Sequence, residues 1–209
     1  MYGRMTRLQG STEAMEKGIA DYEAKVAMPA SQQPGFQGIV LLLNRDKGEA
    51  LSVSYWRDEE ALKASEAFGN QLRNETAESS GMTVAEVATA EILDMQRTGP
   101  PRTGTFIRLN TVDGQADKLD AGIEMYKSQV IPVLKECPGF LASILSVNRQ
   151  SGRMIVSTVW SSAQEREASD ARLSDLRRKS GEAAGSGNVK VELFESAFVN
   201  MPAAAPTGS

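Results

Sequence analysis

Apolar residues fall at steps of four, three and four over Met15, Ile19, Tyr22 and Val26, and again over Leu119, Ile123, Tyr126 and Val130. That spacing lays one apolar stripe along a helix. Upstream of each stripe, MYGRMTRL (1–8) and TFIRLNTV (105–112) alternate as strands do, and each runs on toward a glycine. Downstream, Pro34-Gly35 and Pro138-Gly139 break the chain. GFQGIVLLLN (35–44), dense in β-branched and aliphatic residues, predicts a strand. NRDKG (44–48) and NRQSG (148–152) carry turn chemistry, and EALSVSYW (49–56) and RMIVSTVW (153–160) return as the second arms of hairpins. A second helix follows each hairpin. Asp58 is placed to cap one, and Ser162 with Glu165 forms a capping-box pattern at the other. Leu62, Phe68 and Leu72 give the first of these helices its apolar surface, and Leu173 and Leu176 the second. AEVATAEILDM (85–95) and VKVELFESAFV (189–199) predict closing strands.

The order β-α-β-β-α-β is thus written twice. Pro34-Gly35-Phe36, Asn44-Arg45, Gly48 and Trp56 return, 104 positions on, as Pro138-Gly139-Phe140, Asn148-Arg149, Gly152 and Trp160. Arg4, Gly10, Gly18 and Tyr22 likewise meet Arg108, Gly114, Gly122 and Tyr126. The register holds without a gap for about 70 residues, which marks a duplicated domain. The predicted fold class is α+β: two ferredoxin-like βαββαβ repeats, residues 1–96 and 105–201, joined by a linker over 97–104 (RTGPPRTG) and followed by a disordered tail over 202–209. Along 35–44, Ile39, Leu41 and Leu43 point one way while Val40 and Leu42 point the other, so both faces call for burial. The helices of a repeat cover one face only. We therefore expect the repeats to pack sheet-to-sheet as an intrachain pseudo-dimer, with a further homodimer through strand edges left open.

Composition removes several function classes. The chain has no histidine, which excludes His-ligated haem, His-containing zinc sites and Ser-His-Asp triads. No clustered Asp/Glu pattern supports a carboxylate-bound metal. A net charge of -4 without a basic stripe argues against nucleic acid as a partner. No apolar run approaches the roughly 20 residues that span a bilayer, and MYGRMTRLQG is too polar for a secretory signal, so no membrane association is expected. Cys137 is the sole cysteine; it excludes an internal disulfide and fits a reducing, cytoplasmic setting.

Strand, glycine, helix, Pro-Gly-Phe, hairpin and then Trp56-Arg57-Asp58-Glu59-Glu60-Ala61-Leu62 resemble the antibiotic biosynthesis monooxygenase superfamily, the dimeric α/β barrels. The resemblance extends over both repeats and implies that one chain supplies both halves of the barrel. It also implies chemistry: the superfamily includes cofactor-independent oxygenases of phenols and anthrones, haem-degrading enzymes and isomerases. On this footing no cofactor is expected, and a small aromatic molecule is the expected partner. The sequence departs from active relatives in two places. Ser65 and Ser169 stand where the second helix often carries a histidine, and Gly3 and Ile107 stand where haem-degrading relatives use an asparagine.

Four residue pairs are candidates for a substrate pocket. Arg4 and Arg108 lie mid-strand, where a guanidinium serves an anionic or phenolate ligand oxygen if buried in a pocket, pairs with a structural carboxylate, or lies on a solvated edge. Trp56 and Trp160 end their strands and either line a pocket or fix the second helix. Tyr22 and Tyr126 belong to the helical stripe, with hydroxyls that reach a ligand only if one sits between helix and sheet. Asn44 and Asn148 open the hairpin turns, which accounts for them without a ligand. No catalytic base is identifiable. The two function classes carried forward are a cofactor-independent monooxygenase for a small phenolic or polycyclic aromatic compound, and a non-catalytic ligand-binding or structural barrel.

Overall fold

The computed structural model describes Met1–Met201; the expected disordered tail, 202–209, lies outside the described residues. The first repeat runs β1 (Tyr2–Gln9), α1 (Thr12–Tyr22) continuing into α2 (Met28–Ser31), β2 (Phe36–Asn44), β3 (Glu49–Trp56), α3 (Glu59–Ala64), α4 (Glu66–Ser80) and β4 (Thr83–Arg97). The second runs β5 (Phe106–Asp113), α5 (Leu119–Met125), α6 (Ile131–Glu136), β6 (Phe140–Asn148), β7 (Arg153–Trp160), α7 (Ala163–Ala168), α8 (Asp170–Ala183) and β8 (Lys190–Asn200). The predicted βαββαβ order holds in both. β1 and β2 flank β3 antiparallel, with Arg4 opposite Ser54, and β5 and β6 flank β7 in the same register, with Arg108 opposite Thr158. The hydrogen-bonded strand order closes on itself as an eight-stranded barrel, β1-β3-β2-β8-β5-β7-β6-β4.

One feature of the sheet lies beyond the periodicity. The last strand of each repeat serves two compact units. One unit comprises 1–90, 100–104 and the chain from Glu195; the other comprises 91–99 and 105–194. Within the first unit, Ile39–Leu43 of β2 pair with the β8 segment from Glu195 to Asn200. Within the second, Ala142–Val147 of β6 pair with Glu91–Arg97 of β4. Alternation says which face a residue takes; it says nothing of which strand lies alongside.

The repeated motif has a local explanation at each residue. Gly35 has φ +79°, and a Cβ there would stand 2.4 Å from that of Ala61, so only glycine lets the chain pass the start of α3. Phe36 meets Trp56 edge-to-face at 5.8 Å, and Phe140 meets Trp160 at the same distance. Asn44 Oδ1 accepts from Lys47 N and Asn148 Oδ1 from Ser151 N, closing the hairpin turns. The arginine after each asparagine ties the turn to its surroundings: Arg45 pairs with Glu16 and Glu195, and Arg149 with Asp120 and Glu91.

The first helix of each repeat carries a π-turn the stripe does not reveal, at Glu23–Ala27 and at Tyr126–Val130. Met28 N–H reaches back to Glu23 O, and Ile131 N–H to Tyr126 O, immediately before Pro29 and Pro132. A proline inside a helix donates nothing and crowds the carbonyl four residues back; widening the preceding turn accommodates it. The expected caps are present. Asp58 accepts from Ala61 N at 2.8 Å and Ser162 from Glu165 N at 3.1 Å.

The stripe residues Met15, Tyr22, Ile39, Leu41 and Leu43 share one core cluster, and Leu119, Ile123, Tyr126, Val130 and Trp160 share another. Leu42, on the other face of β2, is buried as well. Among the described residues, no helix is long and apolar enough to cross a membrane.

Candidate functional site

Arg4 and Arg108 are almost wholly buried, at 3% and 2% exposure. Each reaches from the first strand of its repeat to the break between the two segments of the second helix. Arg4 Nη1 donates to Ser65 Oγ at 2.9 Å, and its Nη2 donates to Leu62 O and Glu66 Oε2, both at 2.6 Å. Arg108 repeats the set with Ser169 Oγ at 2.8 Å, Arg166 O at 2.5 Å and Asp170 Oδ1 at 3.2 Å. A second arginine shares each carboxylate: Arg73 Nη2 lies 2.9 Å from Glu66 Oε1 and Arg177 Nη2 2.8 Å from Asp170 Oδ1. In each cluster two guanidiniums thus share one carboxylate. Burial lowers the pKa of both Arg4 and Arg108; the shared carboxylate opposes this, and the second arginine adds to it. A guanidinium still stays charged through ordinary pH. Arg4 also lies 5.8 Å from the centre of the Trp56 ring.

Beside each triad is a cavity between helices and strands, and the two differ. The first-repeat cavity offers about 70 Å³ to the centres of water-sized molecules, the second about 40 Å³. Arg4, Tyr22, Trp56, Ser52, Gly69 and Arg73 line the first, together with apolar side chains such as Leu8, Val26, Ile39, Phe68 and Leu72. Arg108, Tyr126, Val156, Leu134, Leu173 and Arg177 line the second. The difference in room follows from the sequence. Ala30, Ser52 and Gly69 in the first repeat are answered by Leu134, Val156 and Leu173 in the second.

The tyrosines are affected by the same exchange. Tyr22 Oη and Ser52 Oγ are hydrogen-bonded at 2.6 Å. Val156 replaces that serine in the second repeat, and the buried Tyr126 hydroxyl has no hydrogen-bond partner of good geometry. Burial raises the pKa of both tyrosines well above the ordinary value, with Ser52 opposing the shift at Tyr22 and Ser143 at Tyr126. Neither is a base at physiological pH.

Of the residues singled out from the sequence, Arg4, Tyr22 and Trp56 converge on one cavity and Arg108 and Tyr126 on the other. Trp160 is fully buried in the core. The indole N–H of each tryptophan donates to the residue two positions earlier, Ser54 or Thr158, at 3.0 Å. Asn44 and Asn148 sit at the hairpin turns, outside either lining. Ser65, Glu66, Gly69 and Arg73 also line or adjoin the first cavity and are not among the candidate pocket residues; Ser65 and Arg73 recur in the repeat as Ser169 and Arg177, while Glu66 and Gly69 do not. Gly69 was visible as the position where the register sets glycine against Leu173, one of the exchanges that separate the two cavities. Among the described residues, no three Cys, Asp or Glu side chains gather as a metal-holding group.

The sequence profile of the antibiotic biosynthesis monooxygenase family matches residues 1–69. The Uncharacterized protein Rv2557 of Mycobacterium tuberculosis H37Rv is 34% identical over 202 residues, covering 96% of this chain and 89% of its own length. Rv2558 of the same organism is 28% identical over 203 residues, covering 96% and 85%. An anthrone oxidase-like protein of known crystal structure superposes with a TM-score of 0.68 at 16% identity, over 98% of this chain and 96% of its own. The profile match, the full-length relatives and the closed barrel agree: this chain belongs to the antibiotic biosynthesis monooxygenase family, with two family-type repeats in one polypeptide.

Proposed function

We propose that the first-repeat cavity binds a small aromatic compound with an acidic hydroxyl, a phenol or the enol of an anthrone, and positions its ionised form for reaction with dioxygen. The observation that carries this reading is the Arg4–Glu66–Arg73 triad: net positive charge at the wall of a cavity lined otherwise by apolar and hydroxyl side chains. An oxyanion placed there is stabilised by both guanidiniums, and the adjacent cations lower the pKa of the hydroxyl that produces it. The ionised ring is itself the electron donor, so the protein supplies position and electrostatics. For an anthrone-type methylene, one atom of O2 becomes the carbonyl oxygen as CH2 goes to C=O, and the other leaves as H2O with the two methylene hydrogens. Trp56 presents its ring, and Tyr22, paired with Ser52, offers a hydroxyl to a second ligand oxygen.

The lining contains no carboxylate, thiol or imidazole. That favours, as a second reading, the same ligand held without turnover. Oxygen uptake over a panel of quinols and anthrones separates the two. Uptake that falls in Arg73→Met supports the oxygenase; binding without uptake across the panel supports the binding module. The proposal takes residues 1–96 and 105–201 as the repeats about the 97–104 linker, a pseudo-dimer acting in the cytoplasm on a small molecule.

A further inference from the structure

We propose that each chain carries one ligand site rather than two: an oxyanion seat between Arg4 Nη1 and Arg73 Nη1, whose counterpart in the second repeat is filled by Leu173. The inference rests on the reading above that the ligand is a small aromatic anion, and adds where its charge sits and how many molecules bind.

The seat exists because residue 69 has no side chain. A Cβ there would stand 3.0 Å from Arg4 Nη1 and 3.1 Å from Arg73 Nη1, so the two nitrogens lie within about 6 Å of each other beside α4. An oxygen between two donors at hydrogen-bonding distance from each needs that separation or less. Glu66 engages the Nη2 atoms of both arginines, which leaves Nη1 of Arg73 toward Gly69 and one Nη1 hydrogen of Arg4 beyond its bond to Ser65. One half-exposed carboxylate does not neutralise two cations. Arg4 Nε is buried without a hydrogen-bond partner, so the guanidinium has donor capacity its structural partners do not use.

The second repeat retains the triad and loses the room. Leu173, 5% exposed, occupies the position of Gly69 and packs into the core. Asn110, Tyr126 and Ser180 are among the residues that line the space that remains, and Asn110 Oδ1 and Ser180 Oγ are buried without a hydrogen-bond partner. A small cavity beside unsatisfied polar atoms suits water rather than an aromatic ring.

The test is calorimetric titration of the full chain with salicylate, an aromatic ring carrying a carboxylate and a phenol. One equivalent is expected per chain. Arg73→Met should weaken binding roughly tenfold or more, and Arg177→Met, which removes the matching ion pair in the second repeat, should leave it within about twofold. Gly69→Leu should abolish binding. If that variant does not fold, Gly69→Ala should fold and bind more weakly, since its added methyl meets only the flexible ends of two arginines. Two equivalents per chain, equal losses from Arg73→Met and Arg177→Met, equally tight binding of neutral benzyl alcohol, or no binding of salicylate would each overturn the proposal. One-to-one, Arg73-dependent binding without oxygen uptake from any quinol would remove the oxygenase and leave the seat. Uptake with two equivalents bound would do the reverse.

Discussion

Ser65 Oγ accepts from Arg4 Nη1 at 2.9 Å and donates to Leu62 O at 2.8 Å. Ser169 and Arg108 stand in the same relation one repeat later, with Ser169 donating to Arg166 O. The serine bridges the strand arginine to the break between the helix segments. The position that resemblance associates with histidine has a structural function here.

Ser65→Ala should therefore cost stability. The change removes the acceptor of a buried charged donor, a loss of about 1–3 kcal/mol. Ser169→Ala should cost a similar amount. Urea denaturation checks both; midpoints equal to that of the unmodified protein would show that the arginines are held by their other partners.

Gly48→Ala should cost more than about 2 kcal/mol. Gly48 has φ +62°, and a Cβ there would come within 2.1 Å of Gly10 O, which belongs to backbone and cannot swing away. Thermal unfolding measures the loss, and an unchanged Tm would mean that the hairpin turn adopts another form.

The buried tyrosines make the protein sensitive to alkali. Tyr22 and Tyr126 have folded-state pKa values above the value of about 10 they take once unfolded. Their contribution to stability is complete below pH ~10, where both states keep the proton. It is lost as pH rises from there through the folded-state values, because the unfolded chain releases protons that the folded chain retains. Tyr22→Phe should leave tyrosinate absorbance near pH 10 unchanged while the fold persists. A drop in that absorbance would place Tyr22 among the freely titrating tyrosines.

Cys137 should react slowly with a disulfide reagent in the native protein and fast in denaturant. Its thiol is buried, donates to Val133 O at 3.2 Å, and has its pKa raised by burial. Equal rates in both conditions would mean that the segment around α6 opens readily.

The sequence made the repeat, its elements and its caps legible, because periodicity, turn residues and capping pairs are local. The mid-strand positions of Arg4 and Arg108 left both a buried and a solvated-edge place open, and the structure buries them. Their shared use of Ser65 or Ser169 with a carboxylate was not legible, since it joins residues about sixty positions apart that only the packed helix brings near. The π-turns before Pro29 and Pro132 escaped the apolar stripe, which tolerates one extra residue in a turn without losing its face. The pairing of β8 with β2 was hidden for a related reason: the side-chain pattern of a strand is the same whichever neighbour it bonds.

Joining two protomers in a single polypeptide frees them from evolving in step. In a barrel made of identical subunits, a mutation that plugs one cavity plugs both and ends the activity. Here leucine at 173 leaves glycine at 69 untouched, so one half is at liberty to become scaffold while its sibling keeps an open chamber.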